Sequence, residues 1–131
     1  MFLDTSVIVE IFKNEPGSQK FDDIYDIICT EPLYVSVAQM GEIASWCIRE
    51  GYDITDHVNI LNKIAKIVDV NDLICIKASM MKSEMRKKGI DKFGYLDGIV
   101  LCSAQFHRQK LLTTDSDFRL SDYAIVIQAQ Q

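Results

Sequence analysis

The chain has 131 residues, 48% of them hydrophobic and 25% charged, with a formal net charge of −5 and a sequence pI of about 4.9. That size suits one globular domain over residues 1–131 with a substantial core, and the acidity argues against a protein that coats nucleic acid by bulk charge. No apolar run approaches the ~20 residues of a membrane span, and Asp4 interrupts the N-terminus where a secretory signal would be unbroken, so the sequence predicts a cytoplasmic protein with no membrane association.

In chain order, "MFL" reads as a short buried strand. Thr5 or Ser6 can cap a helix to about Phe12, ended by "NEPG". A helix over "SQKFDDIYDIIC" follows, with Phe21, Ile24, Tyr25 and Ile28 on one face, and "PLYVS" is the next strand. Ser36 and Gln39 have the spacing of a capping box that opens the helix "VAQMGEIASWCIRE", and Gly51 closes it. Thr55 or Asp56 starts another helix, with Val58, Leu61, Ile64 and Ala65 facing inward. "IVDV" is strand-like, and Asn71 caps a long helix through Lys88, closed by Gly89. A last helix begins near Tyr95 and runs to about His107, and "KLLTT" and "YAIVI" are the final strands. Short β-rich runs alternating with helical periods predict an α/β fold, with a parallel sheet of four to five strands covered on both faces.

Cys29, Cys47, Cys75 and Cys102 are widely spaced, with no C-x-x-C pair and no Cys/His cluster. They signal neither a zinc site nor a redox dithiol, and each reads as a small buried hydrophobe.

Four acids are harder to place. Asp4 and Asp115 fall where strands end, the position at which open parallel sheets build their sites. Glu42 lies among Gly41, Ile43 and Ala44, and Asp97 among Tyr95, Leu96, Gly98 and Ile99. None of the four has an evident Arg or Lys partner at helical spacing. Singly, each has a structural explanation as a turn, surface or helix-dipole residue. Jointly, they predict a shared cation, because an unpaired carboxylate among apolar neighbours costs several kcal/mol. An all-oxygen donor set selects Mg²⁺ or Mn²⁺, and the chemistry that follows is attack of activated water on a phosphodiester.

"LDTSVIVEIF", "VSVAQMGEIASW" and "FGYLDGIVLCSAQFHRQKLLTTDSDF", in that order, resemble the PIN-domain family and more narrowly its small VapC-like toxin ribonucleases. The resemblance covers essentially the whole chain. It implies a three-layer α/β/α sandwich and cleavage of single-stranded RNA dependent on Mg²⁺ or Mn²⁺. By motif, Asp4, Glu42, Asp97 and Asp115 match the acidic quartet, and Asp117 matches a further acid that only some members carry. Thr5, Ser6 and Thr114 match positions that place a water or a supporting hydrogen bond behind the ligands. Toxin members commonly form homodimers and are silenced by an antitoxin protein.

Lys82, Arg86, Lys87 and Lys88 near a helix end, Lys92 beside Tyr95, and Arg108 and Lys110 before the last motif could hold RNA phosphates, although a cation-favouring helix end explains the first cluster equally well. His57 and His107 read as surface or packing residues. Three other readings stand beside the toxin: a processing nuclease without an antitoxin, a silent binding module of the same fold, and a phosphoacceptor or phosphatase domain. Aspartate-nucleophile phosphatases, however, need a second acid where this chain has Ser6. A receiver needs paired acids and a late Lys-Pro, and the chain has neither.

Overall fold

Phe2 and Leu3 are completely buried, and they form β1 (Phe2–Leu3) at the centre of a sheet made entirely of parallel strands. The computed structural model describes residues 1–15 and 17–127. Around β1 lie β2 (Tyr34–Ser36), β3 (Lys66–Val68), β4 (Leu111–Thr113) and β5 (Ala124–Val126), in the order β3-β2-β1-β4-β5. Phe2 is in register with both Tyr34 and Leu111, and Leu3 with Leu112.

The alternation of side chains along a strand divides the core in two. Leu3, Val35 and Leu112 face one side, where they meet Val7 and Ile8 of α1 (Thr5–Lys13), Ile24 of α2 (Gln19–Ile28), Ile43 of α3 (Met40–Glu50) and Leu61 of α4 (Ile54–Ile64). Phe2, Val68 and Leu111 face the other, against Met85 of α5 (Asp72–Lys87) and Val100, Leu101 and Ala104 of α6 (Tyr95–Phe106). Helices therefore cover both faces, as the alternating pattern predicts. Residues 124–127 include the β5 strand expected from "YAIVI"; residues 128–131 lie outside the described range.

Helix ends follow local chemistry. Ser36 and Gln39 do form a capping box, although it opens a 3₁₀ turn (Val37–Gln39) that leads into α3. Gly51 ends α3 in the left-handed region at φ 77°. Asn71 caps α5 by accepting the Ile74 N–H at 2.8 Å. α5 and α6 pack closely because residue 98 is glycine: a Cβ there would lie 2.5 Å from the Ala78 carbonyl oxygen.

Several expectations need correction. Asp4, not Thr5 or Ser6, is the residue that flanks the start of α1, and its carboxylate makes no cap bond because it turns away towards two hydroxyls. Asp53 caps α4 by accepting the Asp56 N–H, so that helix begins at Ile54. Ile64, expected to face inward, is 38% exposed on the wall of a groove between α1, α2 and α4; Phe21, Ile24, Tyr25 and Ile28 share one face as expected, and that face lines the same groove, with Tyr25 57% exposed. Cys47 and Cys102 are buried as expected, but Cys29 is exposed at the end of α2 and Cys75 is only half-buried. Among the described residues no helix is long and apolar enough to cross a membrane.

Candidate active site

β1 and β4 are neighbours, so parallel pairing brings their carboxyl ends side by side and delivers Asp4 and Asp115 to the same edge of the sheet. The 3₁₀ turn after β2 starts α3 beside them and presents Glu42, and the first turn of α6 presents Asp97. All four carboxylates line one open pocket of about 370 Å³, together with Thr5, Ser6, Val9, Ser45, Trp46 and Arg49.

The four acids differ in setting. Asp4 is buried, with 8% of its surface exposed, whereas Asp97 and Asp115 are half-buried and Glu42 is exposed. Ser6 Oγ and Thr113 Oγ1 donate to Asp4 Oδ2 at 2.7 and 2.8 Å. Those bonds hold one oxygen, and among the described residues no protein donor reaches Oδ1. Burial pushes the Asp4 carboxyl above its ordinary range; the two hydroxyl bonds oppose the shift, and Glu42 and Asp115 add to it. Asp97 is pushed up to about 6, first by burial and then by Asp4, Asp115 and Glu42 across the pocket. The Gly94 N–H, donating to Asp97 Oδ2 at 2.7 Å, opposes this.

A network of short bonds fixes the floor. Gln39 Nε2 donates to the Leu3 carbonyl at 2.9 Å and to Thr5 Oγ1 at 3.2 Å, tying the end of β1 to the turn before α3. The Thr114 N–H donates to Ser6 Oγ at 3.0 Å, and the Asp115 N–H to Thr113 Oγ1 at 3.0 Å. Of the two adjacent threonines, Thr113 is thus the one whose hydroxyl reaches Asp4, while Thr114 contributes its backbone N–H to Ser6. Asp117 lies in the 3₁₀ turn Ser116–Phe118, where its N–H donates to Asp115 Oδ1 at 2.9 Å, and its side chain does not line the pocket.

The basic residues singled out in the sequence lie elsewhere. Lys82, Arg86 and Lys87 are on the C-terminal half of α5, Lys88 follows it, Lys92 is in the turn before α6, and Arg108 follows α6; none lines the pocket. Arg86 Nε donates to the Phe93 carbonyl at 2.8 Å, and Lys88 pairs with Glu84 at 3.0 Å, which gives both a part in local structure. The cation that does line the pocket is Arg49, which sequence reasoning missed. Glu42, Ser45, Trp46 and Arg49 stand at i, i+3, i+4 and i+7 of α3, so the signal was present two turns from the acid.

The donor set suits a hard divalent ion because every donor is an oxygen and the most buried one has an unoccupied lone-pair face. Among the described residues no three His, Cys, Asp or Glu side chains already converge into a closed chelate. Mg²⁺ and ions like it keep several waters, so carboxylates spread around an open pocket can hold one through water as well as directly.

A parallel α/β/α sandwich with acids gathered at the carboxyl ends of its strands defines the class of site. A family model for the PIN domain matches residues 1–122, and the chain belongs to that family. No curated protein matches the sequence. Solved structures share the fold at low identity. A toxin–antitoxin complex from Klebsiella pneumoniae is 16% identical with a TM-score of 0.74, covering 95% of each chain. VapBC2 from Rickettsia felis, bound to a DNA fragment from its promoter, is 16% identical with a TM-score of 0.72 and covers 98% of each. The sarcin-ricin-loop-cleaving toxin VapC20 of Mycobacterium tuberculosis is 14% identical with a TM-score of 0.72, covering 97% of this chain and 98% of that one.

Proposed function

We propose that this PIN domain is a cytoplasmic, metal-dependent endoribonuclease and the toxin of a toxin–antitoxin pair. The observation that carries the reading is the convergence of Asp4, Glu42, Asp97 and Asp115, from four separate segments, on one solvent-open pocket. The toxin assignment draws on structural neighbours that are themselves toxins or toxin–antitoxin complexes. By the same family resemblance the active form is a homodimer, and the natural inhibitor is an antitoxin protein that covers the pocket.

In this reading the four acids hold Mg²⁺ or Mn²⁺. A bound divalent cation supplies Lewis acidity towards water and the phosphate oxygens. The chain's own task is placement. Ser6 and Thr113 clamp Asp4 Oδ2 and leave Oδ1 free for a cation, and the Gly94 N–H does the same for Asp97 by holding its Oδ2. Glu42, the most exposed of the four, is the acid most open to solvent and to an incoming RNA strand. The electrostatics favour a positively charged guest, because burial and mutual repulsion make ionising Asp4 and Asp97 unfavourable until a cation neutralises them.

Induced expression in a bacterial host tests both parts. Wild-type protein should arrest growth and leave cellular RNA cut at discrete positions, while Asp97→Asn, expressed to the same level, should do neither. Arrest by the Asp97→Asn variant, or intact RNA in arrested cells, would remove the nuclease reading.

A further inference from the structure

We propose that Arg49 is a substrate-binding residue of this site, holding an RNA phosphate next to the one that is cut. The inference rests on the nuclease reading and adds to it the residue that takes the substrate's charge.

Three observations support the assignment. The register of α3 forces Arg49 into the pocket, on the same helical face as Glu42, Ser45 and Trp46. That face is rigid at its middle, because Trp46 is buried, stacked on Tyr52 at 5.1 Å and packed against Phe12 at 5.9 Å. The guanidinium is only loosely held: its side chain is 68% exposed, its one ion pair among the described residues is a long, exposed contact of Nε with the sequence neighbour Glu50 at 3.8 Å, and it makes no side-chain hydrogen bond there. An Arg without a hydrogen-bonded partner, two turns from Glu42, presents a planar fork matched to phosphate oxygens.

Charge explains why such a residue is needed. Asp4, Asp97 and Asp115 line the pocket from other elements and Glu42 from α3 itself, and RNA arrives as a polyanion, so a strand lying along α3 needs a cation to offset that repulsion. Arg49 is the cation that lines this pocket among the described residues. The distance of two helical turns between Glu42 and Arg49 is about 10 Å along the axis, which places the guanidinium beyond the reacting group and within reach of a neighbouring nucleotide.

The test is steady-state cleavage of a short single-stranded RNA in saturating Mn²⁺ by wild type, Arg49→Gln and Arg49→Lys, at several KCl concentrations. Mn²⁺ binding to each protein is measured separately by calorimetry. Arg49→Gln should raise KM about tenfold with kcat within about threefold of wild type. It should also flatten the dependence of log(kcat/KM) on log[KCl] by about 0.7, the contribution of one phosphate contact on a single strand. Arg49→Lys should fall between the two, and Mn²⁺ affinity should be undiminished in both variants. An Arg49→Gln enzyme with the wild-type KM and salt slope would overturn the assignment. A loss confined to kcat would overturn it too, since it would move Arg49 to the reacting phosphate. Weakened Mn²⁺ binding would make Arg49 a support of the acidic cluster and overturn it likewise. A wild-type protein that cleaves no RNA in Mn²⁺ is a separate outcome: it defeats the nuclease reading on which the assignment rests.

Discussion

Replacing Asp97 with Asn should make the metal-free protein more stable at neutral pH. The carboxyl of Asp97 is raised from the ordinary 3.8 to about 6. Below pH 3.8 the side chain is protonated in both the folded and unfolded chain, and it makes no difference to stability. Between pH 3.8 and about 6 the unfolded chain releases the proton while the folded chain keeps it, so the unfolded state gains, and above pH 6 the penalty is constant. At full strength that shift corresponds to about 3 kcal/mol. The pocket is open to water, and screening reduces it to about 1–2 kcal/mol. The value already includes the opposing Gly94 N–H bond, and Asn retains an oxygen for that donor. For a chain of this length about 1–2 kcal/mol is about 4–8 °C in Tm. The assay is differential scanning calorimetry in chelator from pH 4 to pH 7.5, wild type beside Asp97→Asn. The gap between the two should open in favour of the variant as pH rises to about 6 and then level off. A gap that stays constant would mean that the Asp97 carboxyl is not raised, and a variant that melts several degrees lower at pH 7.5 would mean that Asp97 has a stabilising partner; either result defeats the clustered-acid account.

Mn²⁺ at about 100 times its dissociation constant should stabilise the wild type by about 2.7 kcal/mol, and Asp115→Asn by much less, as read from melting curves with and without the ion. Equal gains in both proteins would place the ion elsewhere. Gly98→Ala should destabilise the fold by about 1–3 kcal/mol, because its Cβ would meet the Ala78 carbonyl at 2.5 Å and push α6 from α5; urea denaturation measures this, and an unchanged midpoint would contradict the packing. Thr113→Val removes one of the two hydroxyls on Asp4 and should lower RNA cleavage about tenfold with a loss of about 1 kcal/mol in stability. Thr114→Val, which leaves the backbone N–H intact, should change cleavage less than twofold in the same assay.

Much of the fold was legible because the strands are short, the central pair β1 and β4 is fully buried, and most strands are separated by helices with clear caps. Phe2–Leu3 and Leu111–Thr113 could be placed from apolar runs alone, and Asn71, Gly51 and Gly89 mark helix ends through chemistry confined to a few residues. Groove and core were not separable. Tyr25 and Ile64 keep the helical period of buried residues, yet they line a surface groove, because periodicity reports which face of a helix is apolar and not whether a second layer covers it. The acids could be picked out because carboxylates among apolar neighbours need an explanation. Arg49 escaped because ion-pair partners on a helix are recognised at i+3 or i+4, whereas Glu42 and Arg49 meet the same pocket at i+7, two turns apart. Thr113 escaped for a different reason. It adjoins Thr114, and only the pairing of β4 with β1 decides which hydroxyl reaches Asp4.

The most direct test of the central claim is the rate at which purified protein cleaves an end-labelled, unstructured RNA as Mn²⁺ is titrated from excess chelator to saturation. The account predicts no cleavage in chelator, a saturable rise with Mn²⁺ or Mg²⁺, and a loss of at least about 100-fold in Asp97→Asn and Asp115→Asn at every Mn²⁺ concentration. Undiminished cleavage in chelator, or wild-type rates from either variant, would contradict it.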